Sequence, residues 1–212
     1  MSVYSSYSPF QSPRHKLCHL VVDFFDTFSF AQLCSYVLVF LYGGRPSGIS
    51  LCIVGPSGAG KTALTAKLAD SLYQWQQALP ASAEDAEALR NRPVKIVFCG
   101  SSANSLNALD ILINVCRQIS LVLDTSPEDS SDDEESVAAR IAQKDYRFFV
   151  RHFQYLVRAY PMVIFFESLD QLSDQNQARS ELSFLKGIRP HRLSRIIVST
   201  LPDISSTGVN LY

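Results

Sequence analysis

A glycine-rich loop in the first third of the sequence has the residue types needed to bind phosphate groups. It has the complete pattern G-x-x-x-x-G-K-T and consists of Gly55, Pro56, Ser57, Gly58, Ala59, Gly60, Lys61 and Thr62. The glycines allow the backbone to turn closely, so that successive N–H groups point at one phosphate. Lys61 would reach the β- and γ-phosphates of a nucleotide, and Thr62 would offer its hydroxyl to Mg²⁺. The loop therefore predicts a site for a nucleoside triphosphate and its magnesium ion.

The elements predicted on either side of this loop suit phosphate binding. Residues 49–54 form a short apolar run, which predicts a buried strand. Residues 63–77 predict a helix, because Leu64, Leu68 and Leu72 recur every four residues along one face. The N-terminus of such a helix attracts negative charge, so the order strand, loop, helix is the one that phosphate binding requires.

Two acidic residues follow a second apolar run. Residues 161–166 predict another buried strand, and Glu167 and Asp170 come shortly after it. Glu167 could hold Mg²⁺, directly or through a water molecule, and Asp170 could orient or deprotonate the attacking water. The alternative is that the two carboxylates only solvate the turn between a strand and a helix. Because the glycine-rich loop lies upstream, we interpret both as catalytic residues and Glu167 also as a metal-binding residue.

The remaining patterns predict an α/β fold. Strands are predicted at residues 94–99 and 195–200, and apolar stripes predict helices at residues 106–119 and 142–160. Strands that alternate with helices favour a parallel sheet covered on both faces, with a ligand at the carboxyl ends of the strands. Gly55, Glu167 and Thr200 all lie at such ends, and this agreement between the pattern and the site supports the predicted fold.

The N-terminal segment is predicted to be an extension, residues 1–45, that precedes a core at residues 46–212. Residues 17–42 predict an apolar helix. Its charge-free part, residues 27–42, would span only about 24 Å, which is short of a bilayer core of roughly 30 Å. A packing helix is therefore favoured and a membrane unlikely, although the basic residues at 14–16 leave a membrane anchor open as the alternative. The expected location is cytoplasmic.

Composition and charge exclude several classes of protein. The sequence has 212 residues, with 19 Lys and Arg against 20 Asp and Glu, and this balance gives no direct signal for nucleic-acid binding. The five cysteines lack the short spacings of a zinc site and are expected to be reduced thiols. Residues 126–136 form an acidic, serine-containing loop, which we interpret as solvated, with regulatory phosphorylation as the alternative.

Four segments together resemble the NTPase module of NACHT and WD-repeat proteins, and similar segments occur in telomerase-associated protein and other STAND-class ATPases. They are residues 55–69, 92–119, 165–173 and 195–203. The resemblance implies a P-loop NTPase three-layer sandwich of the AAA+-like division, with a mainly parallel sheet of the additional-strand type. It implies ATP and Mg²⁺ as ligands, slow hydrolysis, and a nucleotide switch that governs assembly with protein partners or by self-association.

The same resemblance implies roles for particular residues. Residues 55–62 would be the Walker A loop, residues 163–170 the Walker B segment, and Ser199 and Thr200 the sensor-1 position near the γ-phosphate. The family usually has Asp where this chain has Glu167, and the longer side chain puts hydrolysis in question more than binding.

Three further expectations concern the extent and the chemistry of the module. The sequence stops soon after the sensor strand, so the fold is expected to be truncated at the C-terminus and to lack the lid that contacts adenine. ATP is favoured over GTP because an Asn-Lys-x-Asp motif is absent. A catalytically silent scaffold or interaction module that retains the P-loop fold is the main alternative, and a small-molecule kinase is a third.

Overall fold

The described part of the chain has an α/β fold. The computed structural model describes residues 21–23, 49–124 and 137–202, with side chains over residues 51–124 and 139–202. Its helices and strands are β1 (Val21–Asp23), β2 (Ile49–Val54), α1 (Lys61–Ala78), α2 (Ala86–Arg90), β3 (Val94–Phe98), α3 (Ala108–Leu123), α4 (Val137–Ala142), α5 (Tyr146–Ala159), β4 (Val163–Glu167) and β5 (Arg195–Thr200). Single turns of 3₁₀ helix occupy Ala103–Ser105, Leu169–Gln171 and Gln175–Gln177.

The five strands form one sheet in the order β1-β2-β5-β4-β3, and every pairing is parallel. This confirms the predicted parallel α/β sheet. β5 is the last of these strands in the chain, and it lies between β2, which leads into the glycine-rich loop, and β4, which carries Glu167. Because all the strands run in the same direction, their carboxyl ends meet at one edge of the sheet, where the predicted site residues lie.

Helices cover both faces of the sheet, because alternate strand residues point to opposite faces. On one face, the buried strand residues pack against an apolar stripe of α1: Leu51, Ile53, Val163, Phe165 and Ile197 contact Leu64, Leu68 and Leu72. On the other face, Ile164, Phe166, Ile196 and Val198 belong to a larger apolar cluster that includes residues of α3 and α5. Both β4 and β5 are buried along their whole length, as expected for strands at the centre of a covered sheet.

The sequence predicted one helix over residues 142–160, and this prediction was wrong at its N-terminal end. α4 ends at Ala142 and α5 begins at Tyr146. Between them Lys144 adopts a φ of 53°, and the Asp145 side chain accepts a hydrogen bond from the N–H of Phe148. An aspartate in that position caps the start of a helix, so the chain begins a new helix here instead of continuing the first.

The predicted helix over residues 17–42 is contradicted at residues 21–23. Val21–Asp23 is a strand that pairs in parallel with Cys52, Ile53 and Val54 of β2. A strand here gives β2 a neighbour on both sides, which satisfies backbone groups that an edge strand would leave unpaired. The rest of the predicted helix and the acidic loop at 126–136 lie outside the described residues. Among the helices in the described ranges, none combines the length and apolar character needed to cross a bilayer.

Candidate functional site

The glycine-rich loop connects β2 directly to α1. Gly58 and Gly60 have φ values of 78° and 91°, in the left-handed region that glycine adopts without strain. Gly60 is the residue before α1, and its carbonyl accepts the N–H of Leu64 at 2.9 Å, so the helix begins immediately after the turn. The loop therefore curves around the N-terminus of α1, where unpaired N–H groups carry a partial positive charge.

Lys61 lies at the start of α1, and its side chain folds back along the loop. Its exposed fraction is only 8%. The Nζ atom donates hydrogen bonds to the carbonyls of Gly55 at 2.6 Å and Pro56 at 2.9 Å. Burial lowers the pKa of Lys61, and the negative charges of Asp170 and Glu167 raise it again in part. The ammonium group is thus held inside the loop by neutral carbonyls, which an incoming phosphate oxygen could replace.

Glu167, the last residue of β4, accepts hydrogen bonds from three hydroxyl groups. Thr62 donates to its Oε1 atom at 2.7 Å. Thr65 and Ser199 donate to its Oε2 atom at 2.9 Å and 2.5 Å. The carboxylate is almost completely buried, and these donors offset part of the cost of removing it from water. The predicted neighbours Thr62 and Glu167 are therefore in direct contact, although 105 residues separate them in the chain.

Asp170 follows in the short helical turn after β4. It accepts the backbone N–H of Leu201 at 3.1 Å and the side-chain amide of Gln171 at 2.5 Å. The residue is buried, and it lines the same pocket as Glu167.

Burial and the charges of the nearby Glu167 and Asp170 raise the pKa of the Cys99 thiol to about 12, so this cysteine stays protonated at neutral pH.

An open pocket of about 620 Å³ lies over the loop at the carboxyl edge of the sheet. Its lining consists of Ser57, Gly58, Ala59, Gly60, Lys61, Thr62, Ala63, Glu167, Ser168, Asp170, Gln171 and Leu201. Most of the predicted site residues are therefore brought together around one space. Gly55 and Pro56 do not belong to this lining, but their carbonyls accept the hydrogen bonds of Lys61.

Thr200 does not line this pocket. Side chains alternate along β5: Ile197 packs on the face of α1 and Val198 on the opposite face. By this alternation Ser199 points to the face of α1 and Thr200 to the other. The Thr200 hydroxyl is buried and has no hydrogen-bond partner within residues 51–124 and 139–202, while its carbonyl accepts the N–H of Gly55 at 3.4 Å. A contact between Thr200 and a nucleotide stays a prediction.

Three contributors to the site were not predicted from the residues themselves. Thr65 lies three positions after Thr62, one turn along α1, so helical spacing was a usable signal for it. Ser199 was noted only through the family resemblance, and its contact with Glu167 depends on β5 lying beside β4. The backbone N–H of Leu201 has no signal in the sequence, because any residue type can supply it.

The residues at the pocket are chemically suitable for a magnesium ion with bound phosphates. Mg²⁺ prefers oxygen ligands and usually binds through one or two carboxylates together with phosphate groups and waters. The Thr62 hydroxyl and the Glu167 carboxylate provide oxygen atoms side by side at the pocket. Within the described ranges, no cluster of three or more His, Cys, Asp or Glu side chains is arranged to hold a metal ion.

Comparison of the sequence with protein-family models and with curated proteins finds no match to either.

Proposed function

We propose that this chain is a P-loop domain of the STAND/NACHT type that binds ATP with Mg²⁺ and acts as a nucleotide switch, with slow ATP hydrolysis at best. The observation that carries the proposal is the pocket at the carboxyl edge of the sheet. There the loop from Ser57 to Ala63 lines the same open pocket of about 620 Å³ as Glu167 and Asp170.

The order of the strands supports the finer assignment of the fold. A strand inserted between the loop-bearing strand and the acidic strand is what the additional-strand type of P-loop NTPase requires, and β5 occupies that position. Helices on both faces of the sheet agree with a three-layer sandwich. The proposed fold class is therefore the P-loop NTPase sandwich implied by the sequence resemblance.

Each polar residue at the pocket has a role in the proposed function. Lys61 exchanges its contacts with loop carbonyls for contacts with phosphate oxygens. Thr62 and Glu167 are the residues that would hold Mg²⁺, and the ion supplies neutralisation of phosphate charge. Asp170 orients or deprotonates the attacking water, since its carboxylate lines the pocket while backbone and amide donors fix its direction.

The first test is the affinity for Mg·ATP measured by isothermal titration calorimetry. We expect Lys61→Ala to weaken binding by about tenfold or more, because hydrogen bonds to a charged group are worth roughly 1.5–3 kcal/mol each. Lys67→Ala is the matched control, since Lys67 lies on the same helix but is half-exposed and pairs with Asp70. Equal affinities in wild type, Lys61→Ala and Lys67→Ala would contradict the proposal.

A catalytically silent scaffold that retains the P-loop fold is the second candidate. The specific observation in its favour is that both oxygens of Glu167 are engaged by hydroxyl groups of the protein. Steady-state release of inorganic phosphate separates the two candidates. For the switch we expect slow release by wild type and a further loss in Asp170→Asn; no release by wild type together with turnover in Glu167→Asp would favour the scaffold.

Partners and location belong to the same proposal. A nucleotide switch governs assembly, so protein partners or self-association are expected of a domain of this type. A cytoplasmic location is part of the same proposal. Among the described residues, Cys99 and Cys116 are buried and form no disulfide, and reduced thiols are typical of that compartment.

A further inference from the structure

The hydroxyl groups around Glu167 come from both of the elements that flank it. Thr62 and Thr65 project from α1, and Ser199 projects from β5. Thr65 and Ser199 are as deeply buried as Glu167 itself, with exposed fractions of 1% and 2%. Hydroxyl donors inside a protein are costly to bury unless they have partners, so these two side chains and the carboxylate depend on one another.

The two carboxylate oxygens of Glu167 have different surroundings. Oε2 accepts the two buried hydroxyls of Thr65 and Ser199. Oε1 accepts the hydroxyl of Thr62, an exposed residue that lines the pocket. One end of the carboxylate is therefore anchored in the interior, and the other end faces the proposed ligand.

Ser199 also connects this carboxylate to the backbone that leads to Asp170. Its Oγ accepts the N–H of Ser168 at 2.9 Å while it donates to Glu167. Ser168 has a φ of 60°, a left-handed conformation that is unfavourable for a residue with a Cβ atom. The Ser199 hydroxyl thus stabilises both the side chain that ends β4 and the turn that follows it.

We propose that Thr65 and Ser199 are positioning residues that hold the Glu167 carboxylate against the Thr62 hydroxyl and so prepare Thr62 to contact Mg²⁺. A hydroxyl that donates its proton to a carboxylate keeps its oxygen lone pairs for a cation. This inference rests on the proposed Mg·ATP function and assigns the residues that tune its metal dependence.

The test is the magnesium dependence of ATP binding. ATP affinity is measured by calorimetry with MgCl₂ and with EDTA, and the ratio of the two affinities gives the magnesium coupling. We expect Thr65→Val and Ser199→Ala each to lower this coupling by about tenfold, the typical effect of removing a group that orients a metal ligand. The affinity in EDTA should change by less than about twofold, because neither residue lines the pocket.

Two controls separate positioning from general stability. Thr65→Ser keeps the hydroxyl and should retain the coupling of the wild type. Ser120→Ala removes a buried hydroxyl on α3, on the opposite face of the sheet, and should also leave the coupling unchanged. If Ser199→Ala does not fold, as judged by thermal unfolding, the comparison of Thr65→Val with Thr65→Ser decides the question alone.

A double-mutant cycle with Glu167→Asp tests the contact itself. Aspartate is one methylene shorter, so its carboxylate is drawn away from Thr65 and Ser199. We therefore expect Ser199→Ala to lower the coupling less in the Glu167→Asp background than in the wild type. Unchanged coupling in both Thr65→Val and Ser199→Ala would overturn the inference and leave the proposed function intact, whereas failure of the wild type to bind ATP at all would overturn both.

Discussion

Gly100 shows how a single residue outside the pocket can control the acidic side of the site. It follows β3 with a φ of 72°, and a Cβ atom built on it would lie 2.5 Å from the Cβ of Gln171. Gln171 lines the pocket and donates a hydrogen bond to Asp170. A side chain at position 100 would therefore displace the residue that orients one of the two proposed catalytic carboxylates.

Replacing this glycine tests that dependence. We expect Gly100→Ala to lower the free energy of unfolding by about 1–2 kcal/mol for the left-handed backbone and by about another 1–3 kcal/mol for the overpacking. Gly187→Ala is the matched control, because Gly187 has a φ of 69° but no atom within 4 Å of a built Cβ. Chemical denaturation measures the free energy of unfolding of both variants. Equal losses of this free energy in Gly100→Ala and Gly187→Ala would contradict the close packing against Gln171.

At the scale of secondary structure, Asp145 explains why the chain forms two helices where its apolar stripe predicted one. Its side chain accepts the N–H of Phe148 at 2.9 Å and pairs with Arg140 at 3.1 Å. The hydrogen bond from Phe148 and the charge of Arg140 lower the pKa of Asp145. Asp145 thus caps the start of α5 and also forms an ion pair with Arg140 of α4.

The Asp145 cap gives a pH-dependent prediction. Asp145→Ala should lower the stability by about 1 kcal/mol, or roughly 2–4 °C in Tm. Asp145→Asn keeps an acceptor for Phe148 but has no charge, so it should fall between alanine and wild type at neutral pH. The pKa of Asp145 is lower in the folded protein than its ordinary value of 3.8, so the ionised carboxylate stabilises the fold above pH 3.8. This stabilisation is lost as the pH falls through the pKa of Asp145 in the folded protein. The difference between wild type and Asp145→Asn should therefore shrink below pH 3.8.

Thermal unfolding between neutral and acidic pH measures this effect, with Asp70→Asn as the control. Asp70 lies on the exposed side of α1 and pairs with Lys67 at 3.6 Å, and exposed pairs contribute little to stability. A constant difference between wild type and Asp145→Asn across the pH range would show that the charge of Asp145 has no part in the cap.

The elements that the sequence predicted best are those whose signal is local. The strands predicted at 49–54 and 195–200 have mainly apolar centres, and both match the structure at both ends. β4 is displaced by two residues at its start and ends at Glu167, so this carboxylate belongs to the strand and not to the turn after it. β1 was missed, because three strand residues inside a long apolar segment leave no periodic signal that distinguishes a strand from a helix.

At the scale of the whole molecule, the loop residues of the site could be predicted from a local pattern, whereas the contacts of Glu167 could not. The loop pattern identifies Lys61 and Thr62 from sequence alone, because backbone geometry fixes which residue types fit there. The partners of Glu167 depend on strand order instead, since β5 must lie beside β4 before Ser199 can reach the carboxylate. No local pattern encodes that neighbourhood. It follows from the packing of the complete sheet.

The central place of β5 also has a consequence for protein synthesis. Arg195–Thr200 is the last described strand to leave the ribosome, yet it separates the β1-β2 pair from the β4-β3 pair. Before β5 is synthesised, β2 and β4 both lack the strand that lies between them in the folded sheet, and unpaired strand edges favour aggregation. The nascent chain can therefore bring the glycine-rich loop and Glu167 to the same edge of the completed sheet only after β5 has been synthesised.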